Sequence, residues 1–412
     1  MPLAPTVFRA RHVATMTPAG LIDDGCVIVD NGRIAAVGRT QDLKPPRIDV
    51  DVDGLLTPGL VNAHTHLELT NVPRPATPGT FQDWLLATMA ATYDPDPAAF
   101  AATRSAATHA GIAQCVRFGV TTVGDVSQNV DVIRPVLGHG PTRSVSFGEC
   151  LGLGERRQRF RKLYDRALDV SQSSALIEIG VAPHAPYTVD PLDYERVNAD
   201  RTRDVLVTTH LSETPDEDEF VWHRAGPFAE MYRRLGFDPG PATDAIPTGV
   251  LALCSTLNRF LHVHVNYCDD ECMDAIRLSG SSVVWCPRTH AYFAHPPHRW
   301  RDMRAAGITV CVGTDSCASS PDLNVMDDVR LVRQQCPDES PADLWALVTS
   351  AAADALHWPR RADPTRGRLR PGLVADFCVW PTGTDAPLTE VLDTRDMLPS
   401  GVWIGGTRVS PL

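Results

Sequence analysis

The sequence predicts an α/β fold, a (β/α)8 TIM barrel carrying a small β-sandwich domain formed from both chain ends. Three observations carry this. At 412 residues with 43% apolar content, the chain is long enough for one large domain and a smaller one. Short β-branched runs alternate with helix-compatible stretches through its middle, as in a parallel α/β sheet. Both ends instead read as short alternating strands with Asn-Gly and Gly turns, the pattern of a β-meander.

In chain order, "VFRARHVATM", "GCVIVDNGRIAAVG" and "RIDVDVDGLLTPG" are the N-terminal meander. Barrel strands follow at 59–64, 120–124, 143–148, 176–182, 205–209, 260–265, 282–286 and 308–313. Eight strands over this span fit a barrel of ~250 residues. "ADFCVWP" and "GVWIGGTRV" resume the meander, so 1–57 and 366–412 form the sandwich and 58–365 the barrel. The segments 73–84 and 235–249, rich in Pro, Gly and Asp, are insertions and candidate lids, because barrel sites lie beneath the loops that follow the strands.

Composition excludes several classes. No apolar run approaches the roughly 18 residues of a membrane helix, and the first twenty residues lack the apolar stretch of a secretory signal. The expected address is cytoplasmic. Eleven scattered cysteines, an odd number, point to reduced thiols rather than a disulfide framework. A net charge of −12 without a basic stripe argues against nucleic-acid binding.

The chemistry is expected at the carboxyl ends of the strands. The first strand ends in "NAHTH", and residues two apart on a strand project to one face, so His64 and His66 point together into the mouth. The fifth ends in His210, the sixth carries His262 and His264, and the eighth ends in Asp315. Three neutral imidazoles and a carboxylate suit one divalent metal ion, Zn2+ first, with Fe2+ or Mn2+ also fitting. Such an ion lowers the pKa of a bound water towards ~7. No redox group, organic cofactor or nucleotide-cradling Gly-rich loop is called for.

The segments "PGLVNAHTHLEL" (58–69), "VAPHAPYTV" (181–189), "THLSET" (209–214), "HVNYCDDE" (264–271), "VVWCPRTH" (283–290), "VGTDS" (312–316) and "LRPGLVADFCVW" (369–380) resemble, in order, the amidohydrolase superfamily. The resemblance is to its cytosine/adenosine deaminase-like branch, which includes chlorohydrolases and S-adenosylhomocysteine deaminases. It implies a mononuclear site in which His64, His66, His210 and Asp315 hold the metal. It also implies that Glu213 shuttles protons, and that His264 hydrogen-bonds the attacking water or the group under attack. His262 is then structural. Binuclear relatives bridge two metals with a carbamylated lysine after the fourth strand, but the only lysines here are Lys44 and Lys162. A rival binuclear or shifted site would use Glu149, at the end of the third strand; its plainer reading is a hydrogen-bonding residue of the pocket wall. The unrelated zinc deaminases share an H-x-E with "HLE" at 66–68, but their P-C-x-x-C is missing.

The implied reaction is hydrolytic deamination of an adenine-type nucleoside. Asp315 accepts a proton from the metal-bound water, hydroxide adds to C6, Glu213 protonates the ring nitrogen, and ammonia leaves with His264 steadying the tetrahedral centre. His184 resembles a substrate-contacting position of this branch, its alternative being a histidine that holds the turn after the fourth strand. Where relatives have "P-x-S-N" after the seventh strand, this chain has "CPRTHAYFAHPPH", placing Arg288, His290, Tyr292 and Phe293 near the mouth. That departure, with "HTHLELT", looks most like the aminodeoxyfutalosine deaminase group. Arg288 and His290 are expected on a carboxylate or ribose and Tyr292 and Phe293 on the base, or equally all four in a packed, hydrogen-bonded loop, with Glu68 as a loop or pocket residue. The partner is a small-molecule substrate, with no nucleic acid or membrane, in a possible homodimer or larger homo-oligomer. Two alternatives remain open: hydrolysis of another C–N or C–Cl bond (guanine, cyclic amide or imide, chlorinated heterocycle), and a non-catalytic barrel serving assembly.

Overall fold

The computed structural model describes residues 5–200, 205–242, 257–357 and 366–409. The N-terminal alternating segments form β1 (Thr6–Ala14), β2 (Leu21–Asp30), β3 (Arg33–Arg39) and β4 (Val50–Pro58). The β2–β3 turn is Asn31-Gly32, both with positive φ (48° and 74°), which matches the twist of a two-residue hairpin.

β4 runs almost directly into the first barrel strand. A Cβ on Gly59 would lie 2.2 Å from the Thr121 side chain, so only glycine lets the chain pass from one sheet to the other here. The barrel strands are β5 (Leu60–Thr65), β6 (Val120–Ser127), β7 (Arg143–Cys150), β8 (Ile177–Pro183), β9 (Leu206–Leu211), β10 (Leu261–His264), β11 (Ser282–Trp285) and β12 (Val310–Val312). They pair in parallel in chain order, each close to its predicted position. One bridge, Thr65 to Asp315, draws β12 against β5 and nearly closes the cylinder. Gly313 permits this seam, since a Cβ there would sit 2.8 Å from His64 backbone atoms.

β13 (Phe377–Trp380), β14 (Gly401–Ile404) and β15 (Thr407–Val409) return to the N-terminal strands. All seven end strands make one sheet, ordered β15-β14-β13-β4-β1-β2-β3. The expected sandwich is therefore a single hydrogen-bonded sheet that coils over on itself. Phe8 on β1 and Trp403 on β14, separated by two strands, have ring centroids 5.6 Å apart. A flat sheet would hold them about 14 Å apart.

The predicted 73–84 loop leads into a helix, Phe81–Thr92, capped by the Thr80 hydroxyl, which accepts the Asp83 N–H (3.1 Å). Phe81 and Trp84 pack into an aromatic cluster with Tyr187, Phe220, Phe228 and Tyr232 over the barrel mouth. Tyr187 and Phe228 stack at 4.2 Å. Of the second candidate lid, 235–249, residues 243–249 lie outside the described residues. Among the described residues no helix is long and apolar enough to cross a membrane.

Candidate metal centre and active site

The strand ends deliver a tight group of side chains to the mouth. His64 and His66 leave β5 on one face, with ring centroids 4.9 Å apart. His210 lies 5.1 Å from the first ring and 5.5 Å from the second. Asp315 Oδ1 is 3.7 Å from Nε2 of both His64 and His66. These separations are too long for hydrogen bonds, but close to the ~3.4 Å between neighbouring ligands of a tetrahedral zinc ion.

Two further observations fit this donor set to a divalent metal. His64 Nε2 is fully buried and has no hydrogen-bond partner among the described residues, an arrangement that is costly for a lone ring nitrogen. His210 Nδ1–H donates to the His184 carbonyl (2.9 Å), which leaves its Nε2 lone pair aimed at the cluster. The Ser319 hydroxyl donates to Asp315 Oδ2 (2.7 Å), which fixes that carboxylate. Asp315 itself has φ of +58°, a strained conformation for a non-glycine residue.

Electrostatics divides the acids. Burial opposes ionisation of Asp315, but His64, His66 and His264 together outweigh it and hold the carboxyl well below its usual range. Glu213 goes the other way. Burial first, then Asp315 and Glu217, push it well above the normal carboxylate range. Its Oε1 lies 3.3 Å from His264 Nε2, and burial pushes the His264 imidazole down to about 3. Burial also lowers His64, His184 and His210, which favours the neutral imidazoles a metal requires.

Glu149 sits at the end of β7, accepting from Gln128 Nε2 (2.7 Å), with its other oxygen 3.8 Å from His184 Nε2. The Thr188 hydroxyl donates to the Ala185 carbonyl and so accepts from His184 Nδ1–H (2.7 Å), leaving His184 Nε2 as an acceptor towards the cavity. Glu68 lies on a short turn after β5, its two oxygens accepting from the Gln128 N–H (3.0 Å) and Asn129 Nδ2 (2.6 Å). His262 is fully buried on β10, two residues below His264.

The cavity has two chambers. The inner one, about 150 Å3, is walled by His66, Glu149, His210, Glu213, His264 and Asp315. An outer one, about 370 Å3, shares Glu68, Gln128 and His184 with it and continues past Arg104, Arg156 and Arg159. Arg156 lies 4.0 Å over the Phe237 ring and Arg104 5.5 Å over Phe100. Sequence reasoning missed these arginines and Gln128. Arg104 lies within the Pro97–Arg117 helix and Arg156 and Arg159 in the region after β7, and nothing local marks them as facing a cavity.

The segment after β11 corrects an expectation. Arg288 does not line either chamber. Its guanidinium donates to Asp328 (2.9 Å), Asp322 (2.7 Å) and the carbonyls of Asp322 and Asn324. Both His290 nitrogens face acceptors, Asn266 Oδ1 (2.9 Å) and the Pro296 carbonyl (2.8 Å), and the neutral ring that burial favours donates to one of them. Tyr292 donates to the Pro75 carbonyl (2.9 Å), and Phe293 packs on Phe81 and Trp84. The segment begins a helical turn at Pro287, and its side chains pair with the protein rather than facing the mouth.

A parallel barrel with clustered histidines and a carboxylate at its carboxyl-end mouth is the architecture of a metal-dependent hydrolase. The Amidohydrolase family signature matches residues 55–409, and the chain belongs to that family, a hydrolytic enzyme acting on carbon–nitrogen bonds. It is 30% identical to the 5-methylthioadenosine/S-adenosylhomocysteine deaminase of Halobacterium salinarum, over 93% of this chain and 86% of that one. The crystal structure of an adenosine deaminase from Xanthomonas campestris with bound zinc superposes with a TM-score of 0.80, at 24% identity, covering 98% and 92% of the two chains. The aminofutalosine deaminase of Helicobacter pylori, in complex with methylthio-coformycin, gives 0.81 at 22% identity, covering 98% and 100%.

Proposed function

We propose that the chain is a zinc-dependent deaminase of an adenine nucleoside bearing a sizeable 5′ substituent, aminodeoxyfutalosine or a related adenosine derivative. The observation that carries this reading is the opposed pair of acids in one chamber: Glu213 pushed well above and Asp315 well below the usual carboxylate range, with His264 3.3 Å from the first. Carboxyls driven apart in this way divide into a proton donor and a proton acceptor.

His64, His66, His210 and Asp315 would hold the ion, which when bound acts as a Lewis acid and makes water a nucleophile near neutral pH. Asp315 accepts the proton lost by the attacking water. Glu213 donates to the purine ring nitrogen beside the carbon under attack, so the ring neutralises charge as the C–O bond forms. His264 hydrogen-bonds the new oxygen, and the proton held by Asp315 passes to the amino group; as the C–N bond breaks and ammonia leaves, the new hydroxyl gives its proton back to Glu213 and becomes the ring carbonyl. His184 Nε2 and Glu68 border both chambers, which supports a role for them in holding a sugar hydroxyl or base edge. The outer chamber supports a substituted 5′ end, since its volume exceeds the inner one and arginines line it. The names of the relatives support the same substrate class.

The test is ammonia release by zinc-loaded protein from a panel of adenosine, 5′-deoxyadenosine, methylthioadenosine, S-adenosylhomocysteine and aminodeoxyfutalosine. The reading expects turnover, fastest with the bulky 5′ groups. Turnover of a cyclic amide or a chlorinated heterocycle with none of the nucleosides would overturn it.

A further inference from the structure

The ends of β9 and β10 carry three non-glycine residues in the left-handed region: Ser212 (φ 51°), His264 (73°) and Val265 (51°). For a β-branched residue this is a true outlier, and such strain persists only where surrounding contacts over-determine it. Here the contacts are specific. The Ser212 carbonyl accepts the N–H groups of Asn266 (2.9 Å) and Tyr267 (3.3 Å), and the Val265 N–H donates to Leu211 (2.9 Å). These bonds lace together the two strand ends that carry Glu213 and His264.

Two side-chain contacts then reach this junction from the segment after β11. Asn266 Nδ2 donates to the Glu213 carbonyl (3.0 Å), and its Oδ1 faces His290 Nδ1 (2.9 Å), whose other nitrogen is tied to the Pro296 carbonyl (2.8 Å). Separately, His298 Nε2–H donates to the His264 carbonyl (2.9 Å), with its ring stacked on Trp285 at 4.9 Å and 13°. The segment after β11 therefore holds the His264 backbone directly, through His298, and that of Glu213 through Asn266, and the side chains of those two groups meet at 3.3 Å.

We infer that His298 and the Asn266–His290 pair are positioning residues that hold His264 and Glu213 in reacting register. This rests on the roles proposed above for those two side chains. His290, expected from the sequence to bind substrate, then serves the reaction from behind the wall of the site. Near-attack geometry is sensitive enough that a displacement of about 1 Å costs about 100-fold in rate.

The experiment uses the full zinc-loaded chain and reads kcat, KM, zinc content, melting temperature and the imidazole signals of 15N-histidine-labelled protein. His264 is assigned by its loss in His264→Asn. His298→Leu and Asn266→Ala are each expected to lower kcat about 10–100-fold with KM within about 3-fold and full zinc content. His298→Gln, which keeps an N–H donor, is expected to recover most of the loss. The His264 signal should move in His298→Leu and return in His298→Gln. Asn266→Ala placed in a Glu213→Gln background should add less than about 2-fold, because its effect passes through Glu213.

Unchanged kcat with an unmoved His264 signal overturns the inference, as does a fall in kcat that tracks zinc loss or unfolding. If His298→Leu does not fold, His298→Asn and Asn266→Ala carry the same comparison. If the wild type deaminates no nucleoside, the functional reading falls by itself. The His264 signal then decides this inference: movement supports it and constancy ends it.

Discussion

The segments following β5 and β11 both place ionisable residues just beyond a barrel strand, yet they behave in opposite ways. After β5, His64 and His66 keep the period of the strand, so both project into the mouth, where Asp315 lies 3.7 Å from each. After β11 the chain turns helical at Pro287, and Arg288 and His290 pair with Asp328, Asp322, Asn266 and Pro296. Nearness to a strand end is thus insufficient. The alternation of β5 carries His64 and His66 to the site, whereas Arg288 and His290, set on a helical turn, are taken up by partners beside them.

The comparison breaks first on the mouth residues. Asp315→Asn and Glu213→Gln should each cost at least about 1,000-fold in kcat/KM, at the upper side of what one proton-transfer group supplies. Only Asp315→Asn should lose zinc on dialysis; loss by Glu213→Gln would reverse the two roles.

On the other side of the comparison, Arg288→Met leaves Asp328 buried without its partner. It should destabilise the protein by about 3–5 kcal/mol in urea melts while KM of the remaining folded enzyme holds. A large rise in KM with an unchanged melt would return Arg288 to the substrate.

Glu217 sharpens the electrostatic side. Burial pushes its carboxyl up to about 8, with one oxygen accepting the Ser212 N–H (2.8 Å) and the other buried without a hydrogen-bond partner among the described residues. Between about pH 4.5 and 8 the folded chain keeps a proton that the unfolded chain has released, so this group makes stability fall as pH rises. Glu217→Gln should raise stability by about 4 kcal/mol at pH 8 and by under about 1 kcal/mol at pH 4.5. Equal effects at the two values would show that Glu217 is ionised in the folded protein.

The smallest effect expected is in the outer chamber. Arg159→Met should raise KM about 10-fold for a nucleoside whose 5′ group carries a carboxylate and leave adenosine unchanged, as for a single charge-assisted contact.

Much of this molecule was legible before its structure. The barrel strands are β-branched runs bounded by breakers, and the histidines and Asp315 stand where such runs end. Local pattern suffices for both. The rest depends on contacts between distant residues. Arg288 meets acceptors 34 and 40 residues away, and no short window contains them. The arginines of the outer chamber come from separate stretches of chain, and so does Phe237 beneath Arg156. The coiling of the end sheet is a property of seven strands together, so alternation within each one predicts a sheet but not its closure on itself.

The passage of β4 into β5 through Gly59 has a consequence for biosynthesis. β4 is fastened to β13, with Trp380 Nε1 donating to Thr57 Oγ1 across 323 residues. The strand that delivers His64 and His66 thus lacks one of its anchors until β13 has been made. Contacts of such long sequence separation form late. Until β13 pairs, His64 and His66 stand on a half-secured strand, so their final geometry should be reached only after about 320 further residues have been made.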